Sequence, residues 1–208
     1  MGMYAMGCNF ALVGATQKEL EYVQNLINEN RKANPGDHFA PGSEPGSVIM
    51  LDSFDTPADY NIGIDLSEDG KVRIKSTYSQ RVGFVSYCES DRRSLLYQLV
   101  MMQIGYKFMD VPFNEIMDLF EKECAFKYID CQKEDYLSSA KKIITEAIRG
   151  RDIDQIGLFI QWIDSFDLNY ISETDDLIND LGIQSFLLQI VSLEDDLTSF
   201  QAGIFITK

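Results

Sequence analysis

The pattern of apolar and polar positions divides the chain into a β-patterned N-terminal part and a helix-patterned remainder. Lys71-Val72-Arg73-Ile74-Lys75 alternates strictly, which puts Val72 and Ile74 on one face of a strand and three cations on the other. Ser47–Leu51, Tyr60–Leu66, Lys71–Thr77 and Val82–Cys88 alternate or cluster β-forming residues, and Asp69-Gly70 suits a tight hairpin between the second and third. These segments predict an antiparallel sheet with one face against a core and one in water. Ahead of them, Thr16-Gln17-Lys18-Glu19 has capping-box spacing and precedes Leu20, Val23 and Ile27, which predicts a helix from Gln17 to Arg31.

Beyond the strands the period lengthens. Ser90-Asp91 opens a helix through Leu95, Leu96, Leu99, Val100, Met102 and Ile104, apolar around its circumference and therefore central to the packing, with Gly105 at its end. Helical spacing recurs in Ile116, Leu119, Phe120 and Cys124, in Leu137, Ala140, Ile144 and Ile148, and in Ile153, Ile156, Ile160 and Ile163. Ser172-Glu173-Thr174-Asp175 reads as an N-cap followed by first-turn acids, and Gly182 as the stop of that helix. Ser199–Thr207 reads as a strand able to return to the earlier sheet. The expected fold is α+β: a small antiparallel sheet over residues 47–88, joined by 199–207, packed against a mostly helical C-terminal half. One domain over 1–208 is expected, with a possible division into a helix-plus-sheet part at 1–110 and an acidic helical part at 111–208.

Charge changes this picture more than composition does. The net charge of −15 is uneven: residues 1–108 hold 13 acids and 10 bases, residues 109–208 hold 20 and 8. From Asp152 to Thr207 there are eleven Asp or Glu residues and no Lys or Arg, among abundant Ile, Leu and Phe. A folded segment of that composition presents a negative exterior that attracts basic proteins and repels phosphate backbones. A basic protein is thus the expected partner, without direct nucleic-acid binding. On the expected 153–163 helix, Asp154 and Asp164 fall opposite the apolar stripe, and Asp167, Glu173, Asp175, Asp176 and Asp180 follow. Trp162, Phe166 and Tyr170 are the aromatic candidates for anchors inside that acidic rim, with the domain interior as their alternative place.

Chemical motifs are sparse. Asp52, Asp55 and Asp59 follow a predicted strand and could hold a hard divalent cation, or shape the turn before Pro57. Asp65-Leu66-Ser67-Glu68-Asp69-Gly70 starts like a calcium loop, but its twelfth position is Ser76 and its flanks alternate as strands, so it reads as a hairpin turn. His38 lies in a Gly/Pro-rich loop, and Cys8, Ser43 and Cys88 lack the surroundings of a recognisable nucleophile motif. Cys124 and Cys131 have no paired spacing, and the four cysteines read as free thiols. Gly63, Gly70 and Gly83 have neither dinucleotide-fingerprint nor P-loop spacing. Tyr78, Tyr87, Arg73, Arg81, Arg92 and Arg93 form the one aromatic and basic concentration, which reads more simply as a sheet face and a helix start than as a nucleic-acid platform. No apolar run approaches the roughly 20 residues that span a bilayer, and the first residues lack a basic n-region, a continuous h-region and a myristoylation pattern. A cytoplasmic protein without metal, cofactor or catalytic residue is expected. Its alternatives are a divalent-metal hydrolase built on Asp52, Asp55 and Asp59, and an adaptor subunit of a larger assembly.

The run from Gly70-Lys71-Val72-Arg73-Ile74 to Gly83-Phe84-Val85-Ser86-Tyr87, followed by Ser94-Leu95-Leu96 to Gly105-Tyr106, resembles bacterial polymorphic-toxin immunity proteins in layout, acidity and size, over residues 60–108. The resemblance implies a cytosolic immunity-type protein that binds a cognate toxin domain and blocks its active site, with no chemistry of its own.

Overall fold

The computed structural model describes residues 10–33, 48–50, 62–67, 69–76, 80–104, 106–109, 111–149, 153, 155–162, 169–183, 185–192 and 200–207. Along these the chain forms β1 (Phe10–Val13), α1 (Gln17–Ala33), β2 (Val48–Met50), β3 (Ile62–Asp65), β4 (Lys71–Ser76), β5 (Arg81–Ser86), α2 (Arg92–Ile104), β6 (Tyr106–Met109) and α3 (Phe113–Glu121). It continues through β7 (Cys124–Cys131), α4 (Tyr136–Ile148), β8 (Ile156–Trp162), α5 (Asn169–Asp180), β9 (Phe186–Ser192) and β10 (Phe200–Ile206). All ten strands join one sheet in the order β2-β1-β3-β4-β5-β7-β10-β8-β9-β6.

This corrects the expected α+β layout of a small antiparallel sheet against a helical half. The sheet is large and mixed, with β1 parallel to β2 and β3, β5 parallel to β7, and β8 parallel to β9, and the C-terminal half supplies β7, β8, β9 and β10. The expected helix at 153–163 is β8. Its Ile spacing coincides with a helical period, but Ile156 through Ile160 are all buried, the continuous apolar run of a strand covered on both faces. Cys124, assigned to the end of α3, starts β7. The chain turns there through Glu123 at φ 56°, a left-handed conformation that stops the helix. The anticipated strands at β2, β3, β4 and β5, the helices α1, α2 and α4, and the returning strand β10 all form.

Helices cover both faces of the sheet. On the first, Val23 and Ile27 of α1, the apolar length of α2, and Ile116, Leu119 and Phe120 of α3 meet Leu12, Ile64, Ile74, Val85, Phe126 and Phe205. At its centre Phe205 packs against Phe120, Phe126 and Phe159, with ring centroids 5.3, 5.0 and 5.2 Å away. Gly83 is required beneath α3, since a Cβ there would lie 2.8 Å from the Phe120 carbonyl carbon. On the second face, Tyr136, Ala140 and Ile144 of α4 and Leu177 and Ile178 of α5 cover Ile129, Ile156, Leu158, Ile160, Ala202 and Ile204. That cover extends over β7, β10, β8 and β9. On β4 the same face carries Lys71, Arg73 and Lys75 while Val72 and Ile74 are buried below, as the alternation requires. Among the described residues no helix is long and apolar enough to cross a membrane.

Candidate functional site

Mixed α/β sheets bind ligands where parallel strands diverge, outside their carboxyl ends. Here that place lies at β1, which is flanked by β2 and β3 with α1 following it. The turn after β1 uses Gly14 at φ +70°, and Ser67 closes over it so tightly that a Cβ on Gly14 would lie 2.6 Å from the Ser67 nitrogen. The expected capping box forms: Thr16 N–H donates to Glu19 Oε2 at 2.7 Å and Glu19 N–H to Thr16 Oγ1 at 3.3 Å. Arg92 then donates from Nε to Glu19 Oε1 at 2.6 Å and from Nη1 to the Leu66 carbonyl and the Tyr87 hydroxyl. Burial pushes the Glu19 carboxyl up, but bonds from Arg92 and Thr16 outweigh it and hold the group below the usual carboxylate range. A resident carboxylate thus faces the amino end of α1. The arrangement ties α1, α2 and the β3–β4 turn together and is unsuited to a phosphate.

A second pair lies beside it. Asp65, with its side chain 4% exposed, accepts from Arg73 Nη2 at 2.7 Å and from both the backbone N–H and the hydroxyl of Ser67. Burial raises the Asp65 carboxyl, and these bonds more than reverse the shift, leaving it low. Arg81 reaches from β5 to Asp118 and Glu121 on α3, and Lys71 pairs with Glu123. These contacts account for Lys71 and Arg73 of β4 and Arg81 of β5 as local ties within the fold.

The acidic candidates separate. Asp154, Asp164, Asp167 and Phe166 lie outside the described residues, as do Asp52, Asp55, Asp59, His38, Ser43 and Cys8. Trp162 ends β8, and the expected single helical face shared by Asp154 and Asp164 does not exist, because the segment between them is that strand. Tyr170 is half-buried and packs with Ile171 against the second-face core. Four remain together on one element: Glu173, Asp175, Asp176 and Asp180 are exposed on α5, opposite the buried Thr174, Leu177 and Ile178.

The physical setting of those four departs from expectation. The helix begins at Asn169, so Ser172 is no N-cap and the acids do not occupy the first turn. Asp180 instead closes the helix, where the partial negative charge of the terminal carbonyls disfavours an acid, and no base lies in that last turn. Among the described residues none of the four carboxylates forms an ion pair, and Asp175 accepts one hydrogen bond, from Asn179 Nδ2 at 3.1 Å. α4 packs against α5 and exposes Lys141 and Lys142, so the acidic residues of α5 have a neighbouring helix that also carries exposed cations. The run free of Lys and Arg did not reveal this, because the neighbouring helix comes from before it.

Among the described residues no group of three or more His, Cys, Asp or Glu side chains could hold a metal ion. Cys124 is buried in the first-face core, where burial pushes its thiol up and its Sγ–H points to the Phe84 carbonyl at 3.9 Å. Cys131, half-buried, ends β7 on the opposite face, and Cys88 is exposed after β5.

No family model matches the chain, and no curated protein does. Among solved structures it is similar to an FtsZ W319Y mutant from M. jannaschii, at 11% identity and a TM-score of 0.42, over 57% of this chain and 38% of that one. An empty FtsZ dimer from M. jannaschii aligns at 10% identity and a TM-score of 0.42 over the same shares. The GDP-bound monomer of CetZ1 from Haloferax volcanii aligns at 9% identity and a TM-score of 0.37, over 96% of this chain and 64% of that one. The chain thus covers less than two thirds of the length of each of these structures.

Proposed function

We propose that the protein is a binding protein that docks a basic protein partner on the outward strip of α5, with Glu173, Asp175, Asp176 and Asp180 as the contacting carboxylates. The observation that carries this reading is that four exposed acids lie on the outward half of one helix, without an ion pair among the described residues and away from the helix end they would stabilise. Charges that no local contact accounts for remain available to a partner, where they accelerate encounter and reject partners of like charge. In this reading the protein is cytoplasmic and of the immunity type, and it neutralises a cognate toxin domain by occupying its active site.

The test is affinity capture from the native source with the wild-type protein and with Glu173→Gln, Asp175→Asn, Asp176→Asn and Asp180→Asn combined. The expected result is one basic protein, inhibited on binding, that the wild type retains and the folded variant loses. Retention of the same protein by both would remove α5 from the interface.

A further inference from the structure

A pair of reactive groups lies across the junction between the two parts of the sheet. β5 and β7 meet in a short parallel register, Val85↔Cys124 and Ser86↔Ala125. Just beyond it, Lys127 Nζ of β7 donates to Sγ of Cys88 at 3.5 Å. Cys88 is exposed, so a small oxidant reaches the sulfur from solvent. The other described thiols are poorly placed to resolve an oxidised Cys88. Cys124 is buried on the opposite face of β7, and Cys131 lies four residues beyond Lys127, about 13 Å along the strand. The nucleophile in contact with the sulfur is an amine.

We propose that Cys88 and Lys127 form a peroxide-dependent covalent cross-link, a sulfur–nitrogen bond that staples β5 to β7. The Cys88 sulfur attacks one oxygen of hydrogen peroxide, breaking the O–O bond and giving a sulfenic acid and one water. The sulfur is oxidised and the peroxide reduced. The neutral Lys127 amine then attacks that sulfur and its nitrogen loses a proton, while the sulfenic hydroxyl leaves as a second water and the S–N bond closes. One peroxide is consumed, and no other oxidant is needed. An added thiol reverses the link by attacking the sulfur, returning the free lysine and leaving a mixed disulfide that a second thiol reduces.

The experiment treats the full chain with hydrogen peroxide at mildly alkaline pH, digests it without reductant and analyses the peptides by mass spectrometry. The expected product joins the Cys88 and Lys127 peptides at a mass below their sum by one hydrogen molecule, is independent of protein concentration, and is released by dithiothreitol. Lys127→Arg keeps the charge and removes the nucleophile, so it should give no joined peptide and several-fold more dimedone-labelled Cys88. Absence of the joined peptide from the wild-type digest would overturn the proposal, as would equal dimedone labelling in the wild type and in Lys127→Arg. Because the wild-type digest decides the matter by itself, misfolding of the variant would not shelter it.

Discussion

Two regions of the sheet treat charge in opposite ways. Around β3, β4 and β5 the ionic residues are tied to one another: Asp65 to Arg73, Glu19 to Arg92, Arg81 to Asp118 and Glu121, and Lys71 to Glu123. On α5, later in the chain, four carboxylates stand on the exposed half of the helix without such ties among the described residues. Burial sets this difference. Beneath β4 one face is apolar and the other carries Lys71, Arg73 and Lys75, and Glu123 and Asp65 pair with the first two. α5 lies over a fully apolar face and needs no charge for its packing, so its acids mark a surface and not a tie.

Phe205→Ala removes the ring against which Phe120, Phe126 and Phe159 pack and should destabilise the protein by about 3–5 kcal/mol in urea denaturation. A loss below about 1 kcal/mol would show that the centre of the sheet is loosely packed. Arg73→Met leaves the buried Asp65 carboxylate with Ser67 alone and should cost about 1.5–3 kcal/mol near neutral pH.

The same pair predicts a pH dependence. The folded Asp65 carboxyl is held low, so the unfolded chain binds its proton more readily, and the group contributes stability that is complete above about pH 4. That contribution is lost as pH falls through the lower, folded value. Asp65→Asn should therefore flatten the acid limb of the stability curve, and an unchanged limb would place the acid sensitivity elsewhere.

A smaller effect is expected at Gln98, which α2 buries over Gly203 with no partner for its Nε2 among the described residues. Gln98→Met keeps the length and removes the stranded amide, and should stabilise by about 1 kcal/mol as read by the urea midpoint. Asp180→Asn, at the unfavourable end of α5, should stabilise by about 0.3–1 kcal/mol, and a lowered urea midpoint would contradict this.

How much of this was legible in the sequence depended on how many faces an element buries. β4 buries one face, so its alternation showed both the strand and the side its cations take. The capping box showed the start of α1 because Thr16 and Glu19 meet locally. β8 buries both faces, so Ile156, Ile160 and their neighbours carry no period of two, and chance spacing imitated a helix. β1, with four residues, is too short for a pattern, and its role comes from parallel pairing with β2 and β3, which no local signal encodes. The acidic surface was visible as charge, but its narrowing to α5 depended on where the helix starts and on α4 lying beside it. The contact between Cys88 and Lys127 was hidden for the same reason, since 39 residues separate them in sequence.

The most direct test of the central claim measures stability and partner retention on one variant, with Glu173, Asp175, Asp176 and Asp180 all changed to their amides. The expected result is a urea midpoint equal to or above that of the wild type, together with loss of the basic partner that the wild type retains at low salt. A variant that unfolds more easily would make those carboxylates structural, and one that retains the partner unchanged would contradict a docking role for α5.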